Sequence, residues 1–172
     1  NNTVYATSGG LHGVGISVVN ALSETLSIEV ARQRKLYVQT YSRGQATTKL
    51  EESKAPVNRR GTWIKFKPDK KIFGTTASFD PSLLYRMARS KAYLFRGVEI
   101  RWTCAPQLLR GKTVPPESDK LHFPGGLSDY LEVTIAKRDL LTTENFFGKV
   151  MSSNQTDNIE WAVAWPDDDD GF

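Results

Sequence analysis

The sequence predicts a two-layer α+β sandwich, within the broad α/β class. Three observations predict it. Residue alternation of strand type recurs in four stretches between residues 26 and 104. A proline-capped segment of helical period sits between two of them. A glycine-rich segment near the N-terminus leads straight into an apolar run. Such a mixture gives a mainly antiparallel sheet with helices covering one face.

The elements follow in chain order. In "TSGGLHGVGISVVNALS" (7–23), four glycines fall within seven residues, ahead of "ISVV". The β-branched run suits a helix or a strand. The glycines before it favour a short helix over 15–23, because a glycine turn feeding a helix is a recurrent functional arrangement. "LSIEVAR" (26–32) puts Leu26, Ile28 and Val30 on one face, and "KLYVQTYS" (35–42) is aromatic and β-branched. The intervening "RQRK" can turn a hairpin. "GTWIKFKP" (61–68) aligns Thr62, Ile64 and Phe66 and stops at Pro68. In "FDPSLLYRMARSKAYLF" (79–95), Asp80 is an N-cap and Pro81 the first helical residue. Leu84, Met87, Ala88 and Lys91 form its stripe. "VEIRWTC" (98–104) is a strand of the same sheet, with Val98, Ile100, Trp102 and Cys104 in phase. Cys104 is therefore a small core residue rather than a nucleophile. Residues 105–120 are polar and broken by prolines, which predicts an exposed connection. "HFPGGLSDYLEVTIAK" (122–137) reads as a turn and a helix, and "NIEWAVAW" (158–165) as a strand with Ile159, Trp161, Val163 and Trp165 in phase.

At 172 residues the chain suits one domain, or one domain and part of another. Hydrophobic residues at 39% and charged residues at 24% match a soluble globular protein. No apolar run is long enough for a membrane span, and "NNTVYATSGG" lacks the basic and apolar regions of a signal peptide. One cysteine leaves no internal disulfide and fits a cytoplasmic setting. Charge divides unevenly. Residues 1–138 carry 22 Lys and Arg against 11 Asp and Glu, a net +11. Residues 139–172 carry 1 Lys against 8 acids, a net −7. The split suits an anionic partner for the first part, or simply a solvated surface with an acidic loop.

Gly9, Gly10, Gly13 and Gly15 leave backbone N–H groups uncovered and accept dihedrals closed to other residues. Before a helix N-terminus, that makes a cradle for phosphate. No Lys-Ser/Thr follows Gly15, so it is not a P-loop, and no strand precedes it as in a dinucleotide fingerprint. On the glycines alone, a phosphate cradle and a loop without a ligand both stand.

The wording of several motifs goes further. "SGGLHGVGISVVNALS" resembles the ATP lid and following helix of the ATPase subunits of type IIA topoisomerases, the B subunits of gyrase and topoisomerase IV. "RGTWIKFKPDKKIF" is similar to that family's TGT-x-V-x-F-x-P strand, and "HFPGGLSDYL" to its GGL helix. "IEWAVAW" followed by "GF" resembles the opening strand of its transducer domain. The wording of "HFPGGLSDYL", "LLYRMARSKAYL" and "GVEIRW" leans toward topoisomerase IV. The resemblance implies a Bergerat-type (GHKL) fold: residues 1–140 as the C-terminal part of the ATPase domain, and 141–172 as the start of a transducer domain of the ribosomal S5 domain 2 type. It implies backbone contacts to ATP phosphates from Gly10, Leu11, His12, Gly13, Val14 and Gly15, with a side-chain bond from His12. It places Tyr5 against the adenine ring, Thr62 beside the adenine pocket and Arg32 at the pocket rim, where inhibitors bind. Taken alone, Thr62 is equally an ordinary strand threonine and Arg32 a surface charge. Arg59, Arg60, Lys65, Lys67, Lys70 and Lys71 read as a solvated face.

The family's general base and its magnesium-binding Asn belong upstream of the lid, so the resemblance implies an internal fragment whose catalytic base and Mg2+ ligand lie outside it. It further implies ATP-driven homodimerisation of ATPase domains, an A-type partner in an A2B2 heterotetramer, DNA strand passage that separates chromosomes, and no membrane. Two other readings stand beside it. One is a chaperone, mismatch-repair or histidine-kinase ATPase of the same fold group, whose lid wording differs. The other is a non-enzymatic basic DNA-binding module, which lacks helix-turn-helix, zinc or aromatic RNA-binding signatures.

Overall fold

The computed structural model describes residues 13–111, 114–151 and 158–167. The chain divides into two compact units, Asn1–Ser78 and Phe79–Phe172.

The first unit holds the short helix α1 (Gly15–Ala21), strands β1 (Ser23–Arg32), β2 (Lys35–Ser42), β3 (Gln45–Ala46), β4 (Glu51–Lys54) and β5 (Gly61–Pro68), and one turn of helix, α2 (Lys70–Phe73). Every strand pairing is antiparallel. The order is β3-β2-β1-β5, with β4 also pairing β2. Gln33 and Arg34 both take positive φ, at 53° and 63°, and close the β1–β2 hairpin where "RQRK" predicted it. The helix predicted over 15–23 ends at Ala21, because Ser23 already belongs to β1. Ser23 is 1% exposed, and its hydroxyl donates to the Val19 carbonyl at 2.6 Å, tying the end of α1 to the strand.

Register places Leu26, Ile28 and Val30 on one face of the sheet. They stand beside Tyr41, Gln39 and Tyr37 of β2 and Phe66, Ile64 and Thr62 of β5. Leu26 at 2% exposure, Ala31 at 3% on the opposite face of β1, and Ala55 at 7% are the buried apolar residues described in this unit.

The second unit holds α3 (Pro81–Leu94), β6 (Ile100–Thr103), β7 (Ser118–Leu121), α4 (Leu127–Ile135), β8 (Phe146–Met151) and β9 (Asn158–Val163). Asp80 caps α3, accepting from Ser82 N at 2.8 Å and Leu83 N at 3.2 Å, with Pro81 at the first position. The buried residues of α3 are Ala92 and Tyr93. The predicted stripe is a correction: Leu84 and Met87 are exposed. Helical spacing identified a face, but the neighbours chose a different one. Tyr93 stacks on Phe123 at 3.7 Å between centroids and meets Tyr130 of α4 edge-on at 5.3 Å.

Two further corrections concern strands. The 98–104 stretch does not join the five-stranded sheet. Its β6 forms a separate two-stranded ladder with β7. The partner strand begins within the stretch expected to be a plain connection, which also holds a 3-10 turn over Pro106–Leu108. "SDKL" shows no alternation of strand type, so only its pairing with β6 makes it a strand. Cys104 is half-buried at the end of this ladder rather than fully in the core. β8 pairs β9, where Gly148 lies opposite Trp161 and the indole fills the space a side chain would take.

Candidate nucleotide-binding site

Two of the predicted pocket residues are brought together by the sheet. Thr62 of β5 and Tyr37 of β2 flank Val30 across β1, and all three share a face. Arg32 follows Val30 two residues along β1 and falls on that same face. Its guanidinium lies over the Tyr37 ring, with Cζ 5.8 Å from the centroid. Thr62 and Arg32 are both exposed. One end of one sheet face therefore presents a hydroxyl, an aromatic ring and a guanidinium. Tyr37 was not among the predicted site residues. Its place follows from hairpin register, which the β1–β2 alternation carries once the turn is set.

Gly13, Val14 and Gly15 sit at the entry to α1. Gly13 has φ of +65°, a conformation that favours glycine, and a side chain there would meet nothing within 4 Å. Val14 is 51% exposed. These three join the sheet through α1 at the opposite end of β1 from Arg32. Tyr5, Gly10, Leu11 and His12 lie outside the described residues.

The segment from α1 into the sheet is held by a cluster that sequence reading missed. Asp69 follows β5 and is 2% exposed. Its carboxylate accepts from Arg43 Nε at 2.5 Å and from Lys71 N at 2.9 Å, and its own N–H donates to the Leu22 carbonyl at 2.9 Å. Arg43, at φ of 49°, sits in the turn after β2 and donates its N–H to the Ser23 carbonyl at 2.9 Å. One acid thus ties the C-terminal end of α1 to two sheet connections. The Arg43 guanidinium, and next the Lys71 amide, hold the Asp69 carboxyl below the usual carboxylate range. The available signal was the N-cap pattern in "PDKKIF", where Asp69 begins α2.

The lysine- and arginine-rich set is exposed, as expected of a solvated face, and two of its members are also paired. Lys67 meets Glu24 at 2.9 Å and Arg59 pairs with Glu29. A cavity of about 530 Å³ lies around Leu26, Tyr41 and Phe66, and neither Thr62 nor Arg32 lines it. It is an open groove on the sheet with no charged centre beyond Lys65 and Lys67. Among the described residues, no group of three His, Cys, Asp or Glu is placed to hold a metal, and no helix is long and apolar enough to cross a membrane.

No family model matches the chain. Its relatives and structural neighbours do define it. The fold is similar to a structure of the 43K ATPase domain of Thermus thermophilus gyrase B in complex with an aminocoumarin, at a TM-score of 0.69 and 34% identity, over 83% of this chain and 37% of that one. The mixed helix-and-sheet architecture is therefore that of a GHKL-type ATPase domain. Over 165 residues the chain is 52% identical to the B subunit of DNA topoisomerase 4 from Bartonella bacilliformis, covering 96% of this chain and 24% of the relative. It is 47% identical to the corresponding protein of Rickettsia bellii over 98% of this chain and 25% of the relative. The B subunit of DNA gyrase from Thermotoga maritima matches at 40% over 74% of this chain and 19% of the relative. The chain belongs to the family of type IIA topoisomerase B subunits, and it spans about a quarter of the length of the topoisomerase IV proteins it matches.

Proposed function

We propose that this chain supplies one wall of the ATP site in a bacterial topoisomerase IV B subunit. In the whole protein, ATP binding dimerises the ATPase domains and gates DNA strand passage through a break held by an A-type partner, in the cytoplasm, as an A2B2 assembly. The observation that carries this reading is the shared face and shared end of Thr62 and Arg32, in a chain 52% identical to a topoisomerase IV relative. The Thr62 hydroxyl bonds the adenine or a water beside it, and Arg32, braced on Tyr37, lines the rim. At that rim an aminocoumarin is a fitting inhibitor, given the gyrase B complex of the same fold. Backbone amides from Gly10 to Gly15, with His12, hold the phosphates, and Tyr5 covers the adenine. Residues 1–140 are the later part of the ATPase domain and 141–172 open the transducer domain.

Magnesium bound with the nucleotide neutralises phosphate charge. The family resemblance assigns its protein ligand to the part of the whole protein that precedes the lid, and Mg2+ of this kind needs only one or two such ligands beside the phosphates. This chain's own contribution is to bind and orient the nucleotide.

The test is nucleotide affinity in the full-length protein carrying Thr62→Val, which keeps shape and removes the hydroxyl. Losing one hydrogen bond of about 1 kcal/mol weakens ATP binding about five-fold. A Thr62→Val protein that binds ATP as the natural one does would refute the placement of this face at the adenine. A gyrase identity would show instead as ATP-driven negative supercoiling by the reconstituted enzyme, where topoisomerase IV decatenates.

A further inference from the structure

The "GGL" motif is part of the resemblance, but the nucleotide site makes no use of it. In the second unit it is a socket. Gly125 donates its N–H to the Asp129 carboxylate at 2.9 Å, and a side chain at 125 would collide with that carboxylate. Gly126 has φ of +63°, and a Cβ there would lie 2.6 Å from Arg96 Nε, 2.8 Å from Arg96 Cγ and 3.0 Å from Glu160 Oε1. The two glycines are small because other side chains occupy the space theirs would fill.

The occupants are informative. Arg96 lies just past α3, and its Nη2 meets Glu160 Oε1 of β9 at 2.6 Å. The same oxygen accepts weakly from Leu127 N, the first residue of α4, at 3.4 Å. Gly126 has no side chain with which to cap α4. Glu160, 33 residues after Leu127 in sequence, supplies an acceptor at that helix start. Its side chain is 17% exposed, so losing Arg96 would leave a largely desolvated charge without its main partner. One carboxylate thus joins the end of α3, the start of α4 and the strand β9. An apolar contact at the same place would hold the three together but let them slide. A charge-assisted, directional bond fixes their register.

We infer that Arg96 and Glu160 are positioning residues that make α3, α4 and β9 move as one body, so that displacement of the ATPase part reaches the strand that opens the next domain. The inference rests on the reading given under Proposed function, in which residues 141–172 begin the transducer. Neither residue is among those assigned to the nucleotide site. Their loss uncouples the two activities of the enzyme without stopping ATP turnover.

The experiment uses the full-length protein reconstituted with its A-type partner, and measures ATP turnover and DNA decatenation in the same reactions. Arg96→Met and Glu160→Gln keep the bulk of each side chain and remove the charge pair. Each is expected to hydrolyse ATP within two-fold of the natural enzyme while decatenation per ATP falls about ten-fold. Arg96→Lys keeps the cation and restores at least half of the coupling. Unchanged decatenation per ATP in Arg96→Met and Glu160→Gln would overturn the inference. So would an equal fall in both activities that Arg96→Lys does not relieve, since that marks a general loss of fold. A natural enzyme that shows neither activity would instead overturn the functional reading on which the inference stands.

Discussion

Replacing Gly126 by alanine separates two costs that a glycine can conceal, and Gly97 provides the control. Gly97 lies in the same unit with φ of +80°, and a side chain there meets nothing within 4 Å. Gly97→Ala therefore incurs only the left-handed backbone cost, about 1–2 kcal/mol. Gly126 takes φ of 63° and ψ of −120°, a region essentially confined to glycine, which costs about 1–3 kcal/mol for alanine. Its Cβ also meets Arg96 Cγ at 2.8 Å. That atom sits close to the Arg96 backbone, so turning the tip of the side chain does not relieve the clash. Overpacking of this kind adds about 1–3 kcal/mol. Gly126→Ala should thus destabilise by about 3–4 kcal/mol, about 2 kcal/mol more than Gly97→Ala. Urea denaturation followed by tryptophan fluorescence and circular dichroism reads this directly. At a slope of about 2 kcal/mol per molar, the gap separates the two midpoints by about 1 M. Coincident midpoints would refute the socket, because they would mean that Arg96 and Glu160 yield to a methyl group at no cost.

Two further outcomes follow from the first unit. Leu26→Ala removes the most enclosed leucine of the sheet, between Tyr41 and Phe66, and should cost about 3 kcal/mol in the same urea assay; a loss below about 1 kcal/mol would show that the sheet face collapses onto the gap. Asp69 has a native pKa lowered by Arg43 and then by the Lys71 amide, so the unfolded chain binds its proton more readily than the folded one. Its contribution is complete above the ordinary carboxylate pKa of about 4 and is lost as pH falls through the lower native value. Asp69→Asn should therefore flatten the acid side of the stability–pH curve, and an acid limb as steep as that of the natural chain would assign the effect to other carboxylates.

The local signals were legible because their physics is local. Asp80 and Pro81 cap and start α3 through bonds that reach only three residues. The alternation of 26–32, 35–42 and 61–68 specified three strands and a hairpin, but the common face of Thr62 and Arg32 came only with the β1–β5 register. The relationship to type IIA topoisomerase B subunits was also legible, since it rests on motif wording in chain order. Only the tertiary structure decided the rest. β7 has no pattern of its own and becomes a strand because β6 offers it a ladder. The buried face of α3 is set by Phe123 and α4, so Ala92 and Tyr93 turn inward while Leu84 and Met87 stay exposed. Asp69 and Glu160 look like ordinary surface acids in the sequence. Their partners Arg43 and Arg96 lie 26 and 64 residues away, and the burial that makes each pair matter exists only after those segments have met. Sequence periodicity reports which residues share a face of one element. It cannot report what that face will touch, because that depends on long-range pairing and on the desolvation that comes with it.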